Sequence, residues 1–408
     1  MKILHTADWH LGKKLQDVSR FDEQILVLEE ITAITESFEV DLVLIAGDIF
    51  DSFNPSHEAV ELLYRTLRKL SNYGKRPVIA ISGNHDSTQF IEAPDPLARE
   101  MGIFFYGKYD TVIPQGELDN GLEIMASDPG FVSLKLPEVD FPVRILLAPY
   151  ANETLLRTYL GEKDRENELR NLLAGRWKAL ADKYCDKSGV NLFLGHFFFV
   201  KEGEKPEPEP ESERPILHLG GTQALYTHNI PDQVQYAALG HLHRYHAASK
   251  TPCPVVYASS PLAYSFSEAG QQKQVVLIDA KPGEAVSYEA IPLNQGRTLE
   301  RKTFSDLPTA LDWLAAHPNC FVELTYETEH SIDAATRRSL MKAHDGIINL
   351  IPQIKNKMGN TEQQLQLADL EKDMVSLFEM YYQDEKGQNP NPELTTIFKE
   401  VISQKENP

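Results

Sequence analysis

The sequence predicts an α/β fold whose strands lead into turns rich in Asp, His and Gly. Three observations carry that expectation. Short apolar runs alternate with helix-spaced apolar residues through the first half of the chain. The spacing suits right-handed βαβ units and a largely parallel sheet. The chain has 408 residues, 42% of them hydrophobic, which is too long for one ordinary core and apolar enough to pack two or three domains.

The elements follow in order. Lys2 to Thr6 is a β-rich opening, and residues 21–35 carry Ile25, Leu28, Ile31 and Ile34 at helical spacing. Residues 41–46 (DLVLIA) form a buried-strand run. Residues 57–70 are helical, with Val60, Leu63, Tyr64, Leu67 and Leu70 on one side. Apolar residues, Leu62 included, cover more than half of that helix, so a two-fold dimer face and a face buried within one chain are both open readings. Residues 77–81 (PVIAI) are a third strand run. Further strands are expected at 144–148, 191–194, 236–239, 255–258 and 274–278, which carries the first domain to about residue 280.

Residues 201–214 (KEGEKPEPEPESER) break the pattern with six glutamates and three prolines. They read as a solvated, extended surface insertion in preference to an interaction tail. A small αβ unit follows: a strand at 320–326, a helix at 331–343 with Ser331 as N-cap, and a strand at 346–354. Beyond Gly359 two amphipathic helices are expected. The first carries Leu367, Leu370, Met374, Leu377, Phe378 and Tyr381, and the second Leu394, Ile397, Phe398, Val401 and Ile402.

The formal net charge of −20 has the wrong sign for a protein that holds nucleic acid by bulk charge. Any attraction for a polyanion must come from metals, a local basic patch or a partner. Cys185, Cys253 and Cys320 are scattered and form no C-x-x-C pair, so reduced thiols are expected. Asp8 and His10 interrupt the N-terminal apolar stretch, so no signal peptide is expected, and no run is long enough to span a membrane. A cytoplasmic protein is the resulting expectation.

Five motifs occur in order: Asp8-Trp9-His10, Gly47-Asp48, Gly83-Asn84-His85-Asp86, Gly195-His196 and Gly240-His241-Leu242-His243. Each follows an expected strand, and parallel strands end along one edge where ligands bind. Any one of them alone is common in ordinary turns. The ordered set of five is the signal. Asp8 with His10, and His241 with His243, stand two apart, a spacing that projects both side chains to one side of an extended segment. Asp8, His10, Asp48, Asn84, His196, His241 and His243 mix imidazole and oxygen donors, which suits Mn²⁺, Fe²⁺ or Zn²⁺. Seven donors exceed what one ion takes, so two ions with Asp48 as the bridging carboxylate are expected. His85, next to Asn84, is free to face a substrate and protonate a leaving oxygen, with Asp51 or Asp86 orienting its ring.

Together, D-x-H, G-D-x-x-D, G-N-H-D, G-H and G-H-x-H resemble the calcineurin-like metallophosphoesterases. The segments MKILHTADWHLGKKL, VDLVLIAGDIFDSFNPS, ISGNHDS, YAALGHLHR and ASSPLAYSFSEAGQQK are similar to the branch of that family that includes SbcD. The resemblance implies a β-sandwich flanked by helices over residues 1–280, a small αβ capping domain over 281–358 and a C-terminal helix pair over 359–408. It implies one metal on Asp8, His10, Asp48 and His243, a second on Asp48, Asn84, His196 and His241, and His85 with Asp51 as the catalytic residues. It further implies two Mn²⁺ ions and exonuclease and endonuclease action on DNA ends and hairpins. The implied assembly is a homodimer within a heterotetramer, driven by an SbcC-like coiled-coil ATPase that the C-terminal helices would dock.

Three features depart from the family pattern: the Glu/Pro insertion, the negative charge, and Ser259 where a glycine is expected before Ser260. Two competing functions stay in view. Phosphatases of this fold usually carry Arg-Gly after G-D-x-x-D, where this chain has Ser52-Phe53. A non-catalytic scaffold is expected to have lost ligands or His85, and none is lost.

Overall fold

A computed structural model describes residues 1–151, 165–204, 211–212, 224–329 and 332–354, with residues 378, 382, 390, 394, 395 and 398. The chain divides into two units, Met1–Thr325 with Ala335–Ile351, and Tyr326–Ala334 with Pro352–Pro408.

The first unit is built on two sheets where the strand pattern alone suggested one. The first sheet runs in the order Ser287–Pro292, Gln274–Asp279, Lys2–Thr6, Leu42–Ala46, Val78–Ile81, Ile103–Tyr106. Its last four strands are parallel and its first two antiparallel. The second sheet has eight strands. Its parallel centre is Val255–Tyr257, Tyr236–Leu239, Val190–Gly195 and Val143–Ala148, and antiparallel strands flank it on both sides. The physical reason for the second sheet lies in the uninterrupted apolar runs. A strand apolar on both faces must be covered on both. Leu42, Leu44, Ala46, Ile79 and Ile81 face Val132, Ile145, Leu147, Leu192 and Leu194 of the opposite sheet in one buried cluster. This is the sandwich that the family resemblance implies. The pairing of Ser287–Pro292 carries the first sheet past residue 280, where the strand pattern ended the domain.

Helices cover the outer faces. Phe21–Ser37 and His57–Leu70 bury Val27, Leu28, Ile31, Leu62, Leu63 and Leu67 against Leu4, Val43, Ile45, Val78 and Phe105. The second of these starts at Ser56, whose hydroxyl accepts from Ala59 N, and ends with Arg68 and Lys69 at its negative pole. Its Tyr64 remains exposed, as does Tyr73 beyond it, beneath the Arg68 guanidinium. Helix Arg165–Tyr184 covers the second sheet, where buried Trp177 meets the Phe193 ring edge-on at 4.9 Å.

A three-stranded sheet of Thr298–Phe304, Cys320–Thr328 and Ile347–Ile354 follows, with helices Leu307–Ala316 and Ala334–Ala343. The expected N-cap Ser331 lies outside the described residues. Buried Arg20 ties this sheet to the sandwich. It donates to the carbonyls of Ala263 and Arg297, pairs with Glu23, and lies over the Phe321 ring. Most of the expected C-terminal helix pair lies outside the described residues. Phe378, Tyr382, Leu394, Thr395 and Phe398 are helical, and the Phe378 ring stacks on Phe398 at 3.9 Å. All three cysteines are buried free thiols. No helix among the described residues is long and apolar enough to cross a membrane.

Ser259, at the position where a glycine was expected, has φ 105°. Its side chain keeps the place by bonding Gln274 twice, donating to the carbonyl at 3.0 Å and accepting from the amide at 3.1 Å. Ser259→Ala should cost about 1 kcal/mol, because the partly buried carbonyl and amide of Gln274 lose their bonds while the strain stays. Ser259→Gly should cost less, because it also removes backbone strain of about 1–3 kcal/mol. Urea unfolding of the two variants measures this, and equal costs would show that the position carries no strain.

Candidate metal centre

The parallel strands of both sheets release their chains at one edge. Asp8 and His10 follow Lys2–Thr6, Asp48 follows Leu42–Ala46, and Asn84 and His85 follow Val78–Ile81. From the other sheet, His196 follows Val190–Gly195, and His241 and His243 follow Tyr236–Leu239. The two-apart pairs do not sit on extended backbone as the spacing suggested. Asp8, His10, Asp48 and His241 have φ of 54°, 45°, 49° and 99°, a region that residues other than glycine seldom occupy. Kinks aim these side chains, and backbone bonds lock the kinks. Asp8 N donates to Gly47 O, His10 N to Asp48 O, and Leu11 N to Ile49 O, all at 2.9–3.0 Å. Two glycines keep the space open. A Cβ on Gly83 would fall on the Asp48 carboxylate, and one on Gly240 on the Ala46 carbonyl.

All seven expected ligands arrive at this edge, buried except for the half-buried Asn84. Asp48 lies between two groups of donors. Its Oδ1 accepts from His85 N at 2.9 Å, and its Oδ2 is 3.2 Å from His196 Nε2 and 3.7 Å from His10 Nε2. On one side the Nε2 atoms of His10 and His243 stand 2.9 Å apart. On the other, His196 Nε2 lies 2.9 Å from Asn84 Oδ1, with the His241 ring edge-on at 5.6 Å. His196 Nδ1 donates to Ala46 O at 2.7 Å, which turns its Nε2 lone pair inward. Asp8 Oδ1 accepts from His241 N at 2.8 Å, while its buried Oδ2 has no hydrogen-bond partner among the described residues.

The electrostatics favour positive charge at the site. Burial pushes Asp8 up to about 7, against the pull of His196 and His243. Burial would lower His196, but the Asp48 carboxylate and Asp8 outweigh it and raise the imidazole to about 10. Carboxylates buried this deeply demand positive charge. The donor atoms of Asp8, His10 and Asp48 lie within 4.8 Å of one another, as do those of His10, Asp51 and His85. The donor set and the orphaned Asp8 oxygen fit divalent cations.

His85 leaves the ligand row toward His10, with ring centroids 4.8 Å apart. Asp51 contacts it through the main chain, its carbonyl 3.0 Å from His85 Nδ1, whereas the carboxylate Oδ1 is 3.8 Å away. That Oδ1 instead takes Lys13 Nζ at 2.6 Å. The Asp86 carboxylate is engaged elsewhere. Its two oxygens accept from Ile49 N, Phe50 N and Gly83 N, stapling the loop after Val78–Ile81 to the loop after Leu42–Ala46. Burial and the nearby Asp48 raise Asp86 to about 6 despite those three bonds.

Sequence reasoning missed a second set of groups behind His243. Glu268 and Lys273 form a buried pair at 2.6 Å, and Ser212, from the Glu/Pro insertion, reaches both Glu268 and His243. Burial pushes Glu268 up, but Lys273 and His243 outweigh it and hold the carboxyl well below its usual range; burial lowers Lys273. The signal for Glu268 and Lys273 in the sequence was that SFSEAGQQK belonged to a family-like segment, and Ser212 had none.

Residues 1–245 match the family model for calcineurin-like phosphoesterases. The chain is 32% identical to the SbcD subunit of nuclease SbcCD from Bacillus subtilis over 99% of this chain and 98% of that one. It is 32% identical to the SbcD subunit of nuclease SbcCD from Rhodobacter capsulatus over 72% of this chain and 69% of the relative. A crystal structure of a dimetal phosphatase from Danio rerio aligns at 13% identity with a TM-score of 0.40, covering 72% of this chain and 97% of that chain.

The Asp86 staple gives a direct expectation. Asp86→Asn replaces one acceptor oxygen with a donor facing backbone N–H groups. It should lower stability by about 1–3 kcal/mol. Denaturant unfolding checks this, and an unchanged midpoint would show that the staple holds nothing.

Proposed function

We propose that this chain, which belongs to the calcineurin-like phosphoesterases and within them to the SbcD subunits of SbcCD nucleases, uses two Mn²⁺ ions to cleave DNA. The observation that carries the reading is the position of Asp48 between two groups of imidazole and oxygen donors. Asp8, His10, Asp48 and His243 would hold one ion, and Asp48, Asn84, His196 and His241 the other. When bound, such a pair of ions supplies the positive charge that holds a phosphodiester and activates the attacking water.

The chain's own residues supply the rest. The Asp51 carbonyl accepts from His85 Nδ1–H, so the opposite ring nitrogen is presented to the substrate side. In its doubly protonated form His85 would carry a proton on that nitrogen to give to the leaving oxygen. Asp51 acts in two ways: its carbonyl orients His85, and its carboxylate fixes Lys13, whose Nζ also lies 5.9 Å from the Tyr264 ring centre. Ser52-Phe53 in place of Arg-Gly disfavours a phosphatase, and the complete ligand set disfavours a non-catalytic scaffold.

The substrates we infer are DNA ends and hairpins, cut by exonuclease and endonuclease action in end processing, repair and recombination. The partner is an SbcC-like coiled-coil ATPase docked by the C-terminal helices, with the stacked Phe378 and Phe398 in their apolar stripes. Exposed Tyr64 on helix His57–Leu70 supports a homodimer within that heterotetramer. Free buried thiols suit a cytoplasmic setting.

Three experiments test the reading. Protein given Mn²⁺ should take up two ions about 3.5–4 Å apart and cleave a DNA hairpin in preference to a small phosphomonoester. A single ion, or better turnover of the monoester, would sink it. His85→Ala should keep both ions and lose about 10²–10⁴ in turnover. Loss of metal in that variant would make His85 a ligand. Truncation after Asn360 should abolish capture by the ATPase and leave Mn²⁺-dependent nicking intact; a complex that survives the truncation places the partner elsewhere.

A further inference from the structure

His243 presents its two ring nitrogens to different worlds. Nε2 faces His10 Nε2 at 2.9 Å, inside the donor cluster. Nδ1 points away from the cluster, 3.1 Å from Ser212 Oγ and 3.6 Å from Glu268 Oε1. The Ser212 hydroxyl donates to Glu268 Oε1 at 2.9 Å, so its oxygen is left to accept from His243 Nδ1–H. That relay selects one tautomer, with the proton on Nδ1 and the lone pair on Nε2.

Glu268 is itself held rigidly. Its Oε1 accepts from Tyr264 N and Ser265 N at 3.1 Å, and its Oε2 takes Lys273 Nζ at 2.6 Å. Lys273 also donates to the carbonyl of His243 at 2.6 Å and to Ser260 Oγ at 3.1 Å. The pair therefore grips His243 twice, at the ring through Glu268 and at the main chain through Lys273. An ion pair buried this completely adds little to stability over a well-packed apolar pair, so its position against a ligand needs another reason.

We propose that Glu268, with Lys273 behind it and Ser212 as bridge, is a positioning residue for metal binding through His243. A carboxylate on the far nitrogen orients the ring and raises the basicity of the ligating nitrogen. Ser212 comes from the insertion at 201–214, the segment that composition alone marks as solvated surface. Ser212 is held on the relay, and Glu211 beside it accepts from Ser265 Oγ at 3.3 Å. The insertion thus contributes a group to the site. This inference rests on the two-metal reading.

The test is Mn²⁺ titration of the full chain by calorimetry, with electron paramagnetic resonance to follow conversion of the coupled ion pair to isolated ions. Glu268→Gln should weaken one of the two sites by about 10–100-fold and leave the other unchanged. Ser212→Ala, which leaves no buried charge unpaired, should weaken the same site by about fivefold. It decides the question should Glu268→Gln fail to fold. Two sites that weaken together, or affinities equal to wild type in the folded variants, would overturn the inference. If the wild-type chain takes up a single ion, the two-metal reading fails by itself, and the variants' effect on that ion's affinity still decides the role of Glu268.

Discussion

Asp8 and Asp48 are carboxylates with no solvent exposure, placed at one edge of the fold among buried histidines. Like charges in such surroundings are tolerable only if fixed positive charge or protons meet them. Much of the local structure serves that constraint. Four of the candidate ligands sit on left-handed backbone, each at a cost of about 1–3 kcal/mol. The surroundings must over-determine such residues, and they do. The chain after the first strand is bonded to the chain after Leu42–Ala46, and Asp86 bonds that segment to the loop after Val78–Ile81.

The two sheets explain why the centre is complete only in the folded sandwich. The first sheet contributes Asp8, His10, Asp48, Asn84 and His85, and the second contributes His196, His241 and His243. The distance between the halves is set by the apolar layer between the sheets. Interiors packed at crystal-like density do not slide freely, so the layer acts as a gauge for the candidate metal site. The bond from His196 Nδ1 to the Ala46 carbonyl crosses between the sheets and fixes a ligand tautomer in the same contact.

Charge is distributed unevenly around this centre. A chain with net charge −20 has little general attraction for a nucleic acid. Attraction for a phosphodiester must be local, from metal ions and the few cations beside them. Lys13 is one such cation, paired with Asp51, whose carbonyl meets His85. Lys273 is another, but it is buried and committed to Glu268 and the His243 carbonyl, so it shapes the site from behind.

The sequence by itself determined the parallel strands, the covering helices and the identity of the candidate ligands. Helix His57–Leu70 and strand Tyr236–Leu239 begin and end where their apolar periodicity begins and ends. The five motifs fall at strand ends because that is where a parallel sheet delivers side chains to an edge. Periodicity reports which faces of an element are apolar, not which surface will cover them. Residue pattern alone therefore merged two sheets into one, and the family resemblance supplied the sandwich. It also could not show that kinks, not strand alternation, aim Asp8 and His10, because a left-handed residue other than glycine leaves no compositional mark. Asp51 and Asp86 looked equivalent as neighbours of His85 until their oxygens could be assigned to Lys13 and to backbone amides. Ser212, Glu268 and His243 are 56, 25 and 31 residues apart pairwise in no recognisable pattern, and only folding brings them within hydrogen-bond reach of one another or close to it. Tertiary structure decided these contacts because hydrogen bonds and charge pairs depend on distance in space, which local sequence does not encode.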